Sequence, residues 1–170
     1  MDKAHTLKLF KDKIVQSLWH ECDTLYARDP KGYIALQNTY QINVNLLLLA
    51  QWLDNLHINN QSLILNAHIW SELKNKVQTH DQDALIPFRQ HRRASKSNVS
   101  RSQYQDMLKK ELQLERQTQQ YIFTELHILL QNTQYSQLHI LPAKANSEAH
   151  QLVANSASQD SNAGIYLSLF

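Results

Sequence analysis

Apolar residues recur every three or four positions along most of the first 130 residues, the spacing of helices buried on one side. Leu7, Phe10, Ile14, Leu18, Cys22 and Leu25 predict a first helix from about Thr6 to Ala27. Asp29-Pro30 then restarts the chain, because Asp caps a helix well and Pro is tolerated at the first helical position; a short second helix follows to about Tyr40. After Ile42-Asn43-Val44-Asn45, the run Leu46 to Leu53 is apolar on nearly every side, which predicts a central helix buried against several neighbours and ending near Asn59-Asn60. A fourth helix is expected from about Gln61 to Thr79, with Leu63, Ala67, Trp70, Leu73 and Val77 on one face, and a fifth begins at or is kinked by Pro87. From Asn98, with Ser100 as candidate cap, the longest helix carries Tyr104, Leu108, Leu112, Ile122, Leu126 and Leu129. Its middle, Glu115 to Gln120, is polar all round. It therefore either projects past the bundle or meets buried polar groups, for which Asn43 and Asn45 are candidates when they are not simply caps.

Glycine scarcity narrows the fold. Only Gly32 and Gly164 occur, with Pro30, Pro87 and Pro142, so hairpin turns have few residues to build them. The expectation is all-α: a compact bundle of about six helices over residues 1–131, with a long final helix. Residues 132–164, dominated by Gln, Asn, Ser and Ala, read as a disordered polar linker. Residues 165–170 form an apolar C-terminal peptide.

Composition removes most alternatives. The formal net charge is +2 with both signs interspersed, so bulk electrostatics names no partner. The N-terminal residues lead into an amphipathic segment rather than a secretory signal, and the longest apolar run falls far short of the roughly 20 residues that span a bilayer. A single cysteine, Cys22, fits a reducing cytoplasm and lies on the apolar face of the first helix, as a buried core residue would. Phosphate loops and nucleophile elbows need glycines that neither Gly32 nor Gly164 supplies, so no enzyme and no cofactor are expected. His20 and Cys22 point to different faces. His68 and Glu72 share a face but lack a third ligand, and His80-Asp81-Gln82-Asp83 reads as a polar linker, so no metal site is expected.

Leu18-Trp19, Leu25-Tyr26, Pro30, Leu36-Gln37, Val44-Asn45-Leu46-Leu47-Leu48, Trp52-Leu53, Trp70, Pro87-Phe88-Arg89 and Arg92-Arg93 together resemble the signature of a family of small proteobacterial proteins with no assigned activity. The resemblance covers roughly residues 18–126. It implies a compact helical cytoplasmic bundle and carries no catalytic residue with it. The chain departs from that pattern in extra residues between Trp70 and Pro87, in Gln41-Ile42 where a Gly-containing turn is expected, and in its long tail.

One charge cluster stands out. Arg89, Arg92, Arg93, Lys96 and Arg101 fall within thirteen residues that contain no Asp or Glu. Such a stretch could contact nucleic-acid phosphates as a secondary, sequence-independent contact, although cations at a helix C-terminus followed by a Ser-rich loop are also ordinary surface chemistry.

The terminal peptide Tyr166-Leu167-Ser168-Leu169-Phe170 is the sharper signal, because it is apolar after a polar stretch. It resembles the pentapeptide, typically Gln-Leu-Ser-Leu-Phe or Gln-Leu-Asp-Leu-Phe, by which bacterial replication and repair proteins bind the DNA polymerase sliding clamp. The resemblance implies Leu167, Leu169 and Phe170 as anchors in an apolar pocket, with Tyr166 replacing the usual Gln and losing its hydrogen bonds. Three anchors at about 1.5–3 kcal/mol each, less about 2–5 kcal/mol for ordering the segment, predict a weak contact. The rival readings are that the peptide folds back onto its own bundle, meets another protein or marks the chain for proteolysis. The sequence thus points to a non-enzymatic interaction module recruited through residues 166–170, with the clamp as leading partner. The alternative is a helical regulator acting through its folded surface or its basic loop.

Overall fold

The computed structural model describes residues 2–132, 138–142 and 161–170. Helix α1 spans Lys3–Arg28, capped by the Asp2 carboxylate, and buries Leu7, Phe10, Ile14, Leu18 and Cys22 along the predicted stripe. Asp29 does what its position before Pro30 predicted: its carboxylate accepts the Gly32 N–H at 2.9 Å and opens α2, Pro30–Tyr40. Helix α3, Val44–Asn55, is the hub. Leu46, Leu47, Leu49, Ala50 and Leu53 have no solvent exposure, so its propensity matters less than the several neighbours that cover it.

The sequence reading fails just after α3. Residues Gln61–Leu65, expected to start a helix, form strand β2, paired antiparallel with the short β1, His57–Ile58. Two residues, Asn59 and Asn60, make the turn, with φ of 52° and 57°. A two-residue hairpin loop of the type that matches strand twist needs positive φ at both positions, and Asn visits that region at modest cost. The argument from missing glycines therefore overlooked a glycine substitute. Strand β3, Leu138–Pro142, adds to the other side of β2, with Leu63 opposite Ile140 and Leu65 opposite Leu138. These five residues belong to the stretch read as a disordered linker; the rest of it up to residue 160, apart from Asn132, the last residue of the final long helix, lies outside the described residues.

Asn66 caps α4, Ala67–Asp83, by accepting the Ile69 N–H, and Pro87 sits in the first turn of α5, Leu85–Ser95, which it begins rather than kinks. Ser100 and Gln103 form a reciprocal capping box at the start of the long α6, Arg101–Asn132. The buried face of α6 is Leu114, Thr118, Ile122, Leu126 and Leu130, rotated from the expected stripe, so that Leu108 and Leu112 stay in solvent. The chain is thus predominantly α-helical, a bundle with one small three-stranded sheet, closed by a last short helix α7, Asn162–Leu167, lodged against α3 and α4.

Candidate functional site

The C-terminal peptide is seated on its own bundle. Asp54, on the exit turn of α3, accepts hydrogen bonds from the backbone N–H groups of Asn162 and Ala163 at 2.7 and 3.0 Å. Burial pushes the Asp54 carboxyl above its usual range, against the pull of those donors. The fully buried Asn162 side chain copies a strand. Its amide donates to Leu63 O at 2.9 Å and its oxygen accepts from Leu65 N–H at 2.9 Å, so α7 is fastened to β2 by a side chain acting as backbone.

Tyr166 is the anchor of the terminal pentapeptide. It has no solvent exposure, packs on Trp70 with ring centroids 5.6 Å apart, and its hydroxyl accepts the Asn43 N–H at 3.2 Å. Burial holds its phenol far above the ordinary tyrosine range. Leu167 and Leu169 are only half-buried, Ser168 is exposed, and Phe170 is 51% exposed. The Lys74 ammonium lies 4.0 Å from the centre of the Phe170 ring and donates to Leu169 O at 2.9 Å. The bundle therefore takes the one residue that departs from the clamp-binding pattern and leaves the three apolar anchors at its surface.

Asn43 connects this peptide to the polar stretch of α6. Besides capping α3, its side chain donates to Asp81 Oδ2 at 3.0 Å, and Asp81 in turn accepts the Thr118 hydroxyl at 2.5 Å. Asn45 accepts from the Gln119 amide at 3.0 Å. The polar middle of α6 thus meets buried polar groups, Asn45 as a direct partner of Gln119 and Asn43 only through Asp81, which takes the Thr118 hydroxyl. Asp81, read as part of a linker, is 3% exposed and sits in α4, with the His80 ring at 3.2 Å. Nothing in the local sequence marks it, because its partners come from α3 and α6.

The basic cluster divides in two. Arg89 is paired with Glu111 and Glu115 at 3.1 and 3.0 Å, and Arg92 with Glu111 and the Tyr104 hydroxyl. Burial alone would raise the Glu111 carboxyl; the bonds from Arg92 and Arg89 outweigh that and hold it below its usual range. These two arginines are turned inward, away from any phosphate. Among the described residues Arg93 reaches only the neutral Asn38 oxygen, at 2.8 Å, and Lys96 and Arg101 are exposed. Two of the five cations in this acid-free stretch, Arg89 and Arg92, are therefore neutralised in space by acids from the facing helix.

Two cavities flank α5. One, of about 410 Å³, lies towards α6 and contains the paired Arg89, Arg92, Glu111 and Glu115. The other, of about 530 Å³, opens between α2, α4 and the C-terminal peptide. The two adjoin, sharing Gln37, Ile42, Asn43, Asp81, Arg89 and Arg93 in their linings. Elsewhere, Cys22 is fully buried and burial raises its thiol far from thiolate chemistry. His68 and Glu72 form an exposed 3.9 Å pair, and among the described residues no three His, Cys, Asp or Glu side chains converge on one point. Among them too, no helix is long and apolar enough to cross a membrane.

A sequence profile for a protein family described as of unknown function, DUF2390, matches residues 17–122. The chain belongs to this family. The DUF2390 region runs from the second half of α1 through most of α6, so it holds Asp54, Asn43, Asp81 and the whole lining of the 410 Å³ cavity, while α7 and the Tyr166 and Phe170 walls of the other cavity lie beyond it. No curated protein and no solved structure matches the chain.

Proposed function

We propose that this DUF2390 protein is a non-enzymatic interaction module whose C-terminal peptide is the handle for a protein partner, and that the DNA polymerase sliding clamp is the partner class its sequence fits. The observation that carries this reading is the orientation of the docked peptide. Tyr166 is inserted, whereas Leu167, Leu169 and Phe170, the residues the clamp pocket would take, are half-buried or exposed. Three partly exposed apolar side chains on one short segment gain further burial by transfer to a partner, at roughly 25 cal/mol per Å² covered. The bundle competes for the same segment through Tyr166, Asn162 and Asp54, so capture is an exchange between two docking sites rather than the binding of a free tail.

Capture of the chain by purified sliding clamp, repeated after deletion of Leu169 and Phe170, tests this. Binding by the intact chain and loss on deletion support it; no capture by the intact chain sinks the clamp as partner. A second reading, action through the folded surface, is favoured by the complete burial of Tyr166, which makes the peptide part of the bundle. It predicts that a DUF2390 partner survives deletion of the two terminal residues.

A further inference from the structure

We infer that the cavity between α2, α4 and the C-terminal peptide binds a nucleotide, meaning a planar base carrying phosphate, either free or within a single strand. Four observations converge there. Its volume, about 530 Å³, suits a ligand of that size. Its mouth carries two aromatic rings in solvent: Tyr40, 60% exposed, is an available stacking face, and Phe170, 51% exposed, has one face taken by the Lys74 ammonium. Lys74 and Arg93 line it, and neither has a carboxylate partner among the described residues, unlike Arg89 and Arg92. Asp81, the acid at its floor, has both oxygens engaged by Asn43 and Thr118, so the two cations rather than this acid are placed to meet a phosphate.

The fourth observation concerns Gln41. It closes α2 in the left-handed conformation, φ 55°, a position that favours glycine. A strained non-glycine residue at the lip of a cavity places an amide there that glycine would not supply. Gln78 and Gln90 line the same cavity, and none of the three side-chain amides has a hydrogen-bond partner among the described residues. Amides that both donate and accept match the edge of a base, as the cations match its phosphate and the rings its face.

The test is binding of AMP, a ten-residue oligothymidylate and inorganic tripolyphosphate to the full chain, followed by calorimetry or anisotropy. AMP and the oligonucleotide should compete, and Tyr40→Ala and Arg93→Gln should each weaken both by about tenfold without moving the melting temperature, since both side chains are in solvent. Gln41→Gly should weaken binding while leaving the protein as stable or more so, which separates the amide from the fold. A strand as the natural source shows as tighter, salt-dependent oligonucleotide binding; a free nucleotide shows as equal affinity for the two. Absence of binding up to about 1 mM, tripolyphosphate binding as well as AMP, or indifference to Tyr40→Ala and Arg93→Gln would each overturn the assignment.

Discussion

Replacing Tyr166 by Gln would act in opposite directions on stability and on capture. The variant restores the residue that the clamp-binding pattern carries at this position and removes a fully buried ring packed on Trp70, with a hydroxyl that serves the Asn43 N–H. Truncating a buried aromatic costs about 3–5 kcal/mol, and Gln leaves an amide where the ring was, so the loss should reach that range. For a chain of this size each kcal/mol lowers the midpoint by about 2–4 °C, giving a drop of about 6–20 °C by circular dichroism. Capture by the clamp should rise. If docking of α7 is worth about 3 kcal/mol, the open form is held near one part in a hundred and the apparent affinity is reduced by the same factor. Releasing the peptide lifts affinity by up to about 100-fold, before the new amide contributes its own hydrogen bonds at about 1 kcal/mol each. Surface plasmon resonance on immobilised clamp, at a temperature where both proteins are folded, reads this directly. A lower midpoint with unchanged capture would refute exchange and leave the peptide a structural element. An unchanged midpoint would refute the docking itself.

Glu111→Gln should destabilise by about 2–3 kcal/mol at neutral pH, towards the lower end of the range for a broken buried pair because Gln keeps one acceptor for Arg92 and Arg89. Since the folded carboxyl titrates below its ordinary 4.5, its contribution is present above that value and disappears as pH falls through the lowered one; the gap between wild type and variant in urea melts should therefore close in acid, and a gap constant with pH would contradict the pairing. Asp54 is shifted the opposite way and is common to both proteins, so it cancels in the difference. Asn60→Val should cost about 1–2 kcal/mol, because a β-branched residue resists φ of 57°, whereas Asn60→Gly should be neutral or better; equal melts for the two variants would argue against the turn.

The helical frame was legible because each signal was local. The stripe Leu7 to Cys22, the Asp29-Pro30 start, the apolar run of α3 and the Ser100 cap all act within a few residues, and each appears as read. Errors came where one residue type stands in for another. Asn59 and Asn60 supply a turn normally announced by glycine, and Asn162 supplies strand-like hydrogen bonds from a side chain. The site was less legible than the fold because its partners are far apart in sequence. Asp54 and Asn162 are separated by 108 positions, Asn43 and Tyr166 by 123, and no periodicity links them. The same distance concealed that Glu111 and Glu115 would neutralise Arg89 and Arg92, which look uncompensated when read along the chain.

The clasp between Asp54 and Asn162 has a kinetic meaning as well. Closing a contact across 108 residues is slow compared with winding α1 to α6 from neighbouring segments, so α7 should be the last described element to settle during folding. Its few short-range supports make it the first to leave: hydrogen exchange under native conditions should find the amides of Asn162 and Ala163 opening well below the free energy of global unfolding, with α3 opening only at that limit. A brief-lived, nearly complete bundle lacking only its final helix would then recur throughout the protein's lifetime.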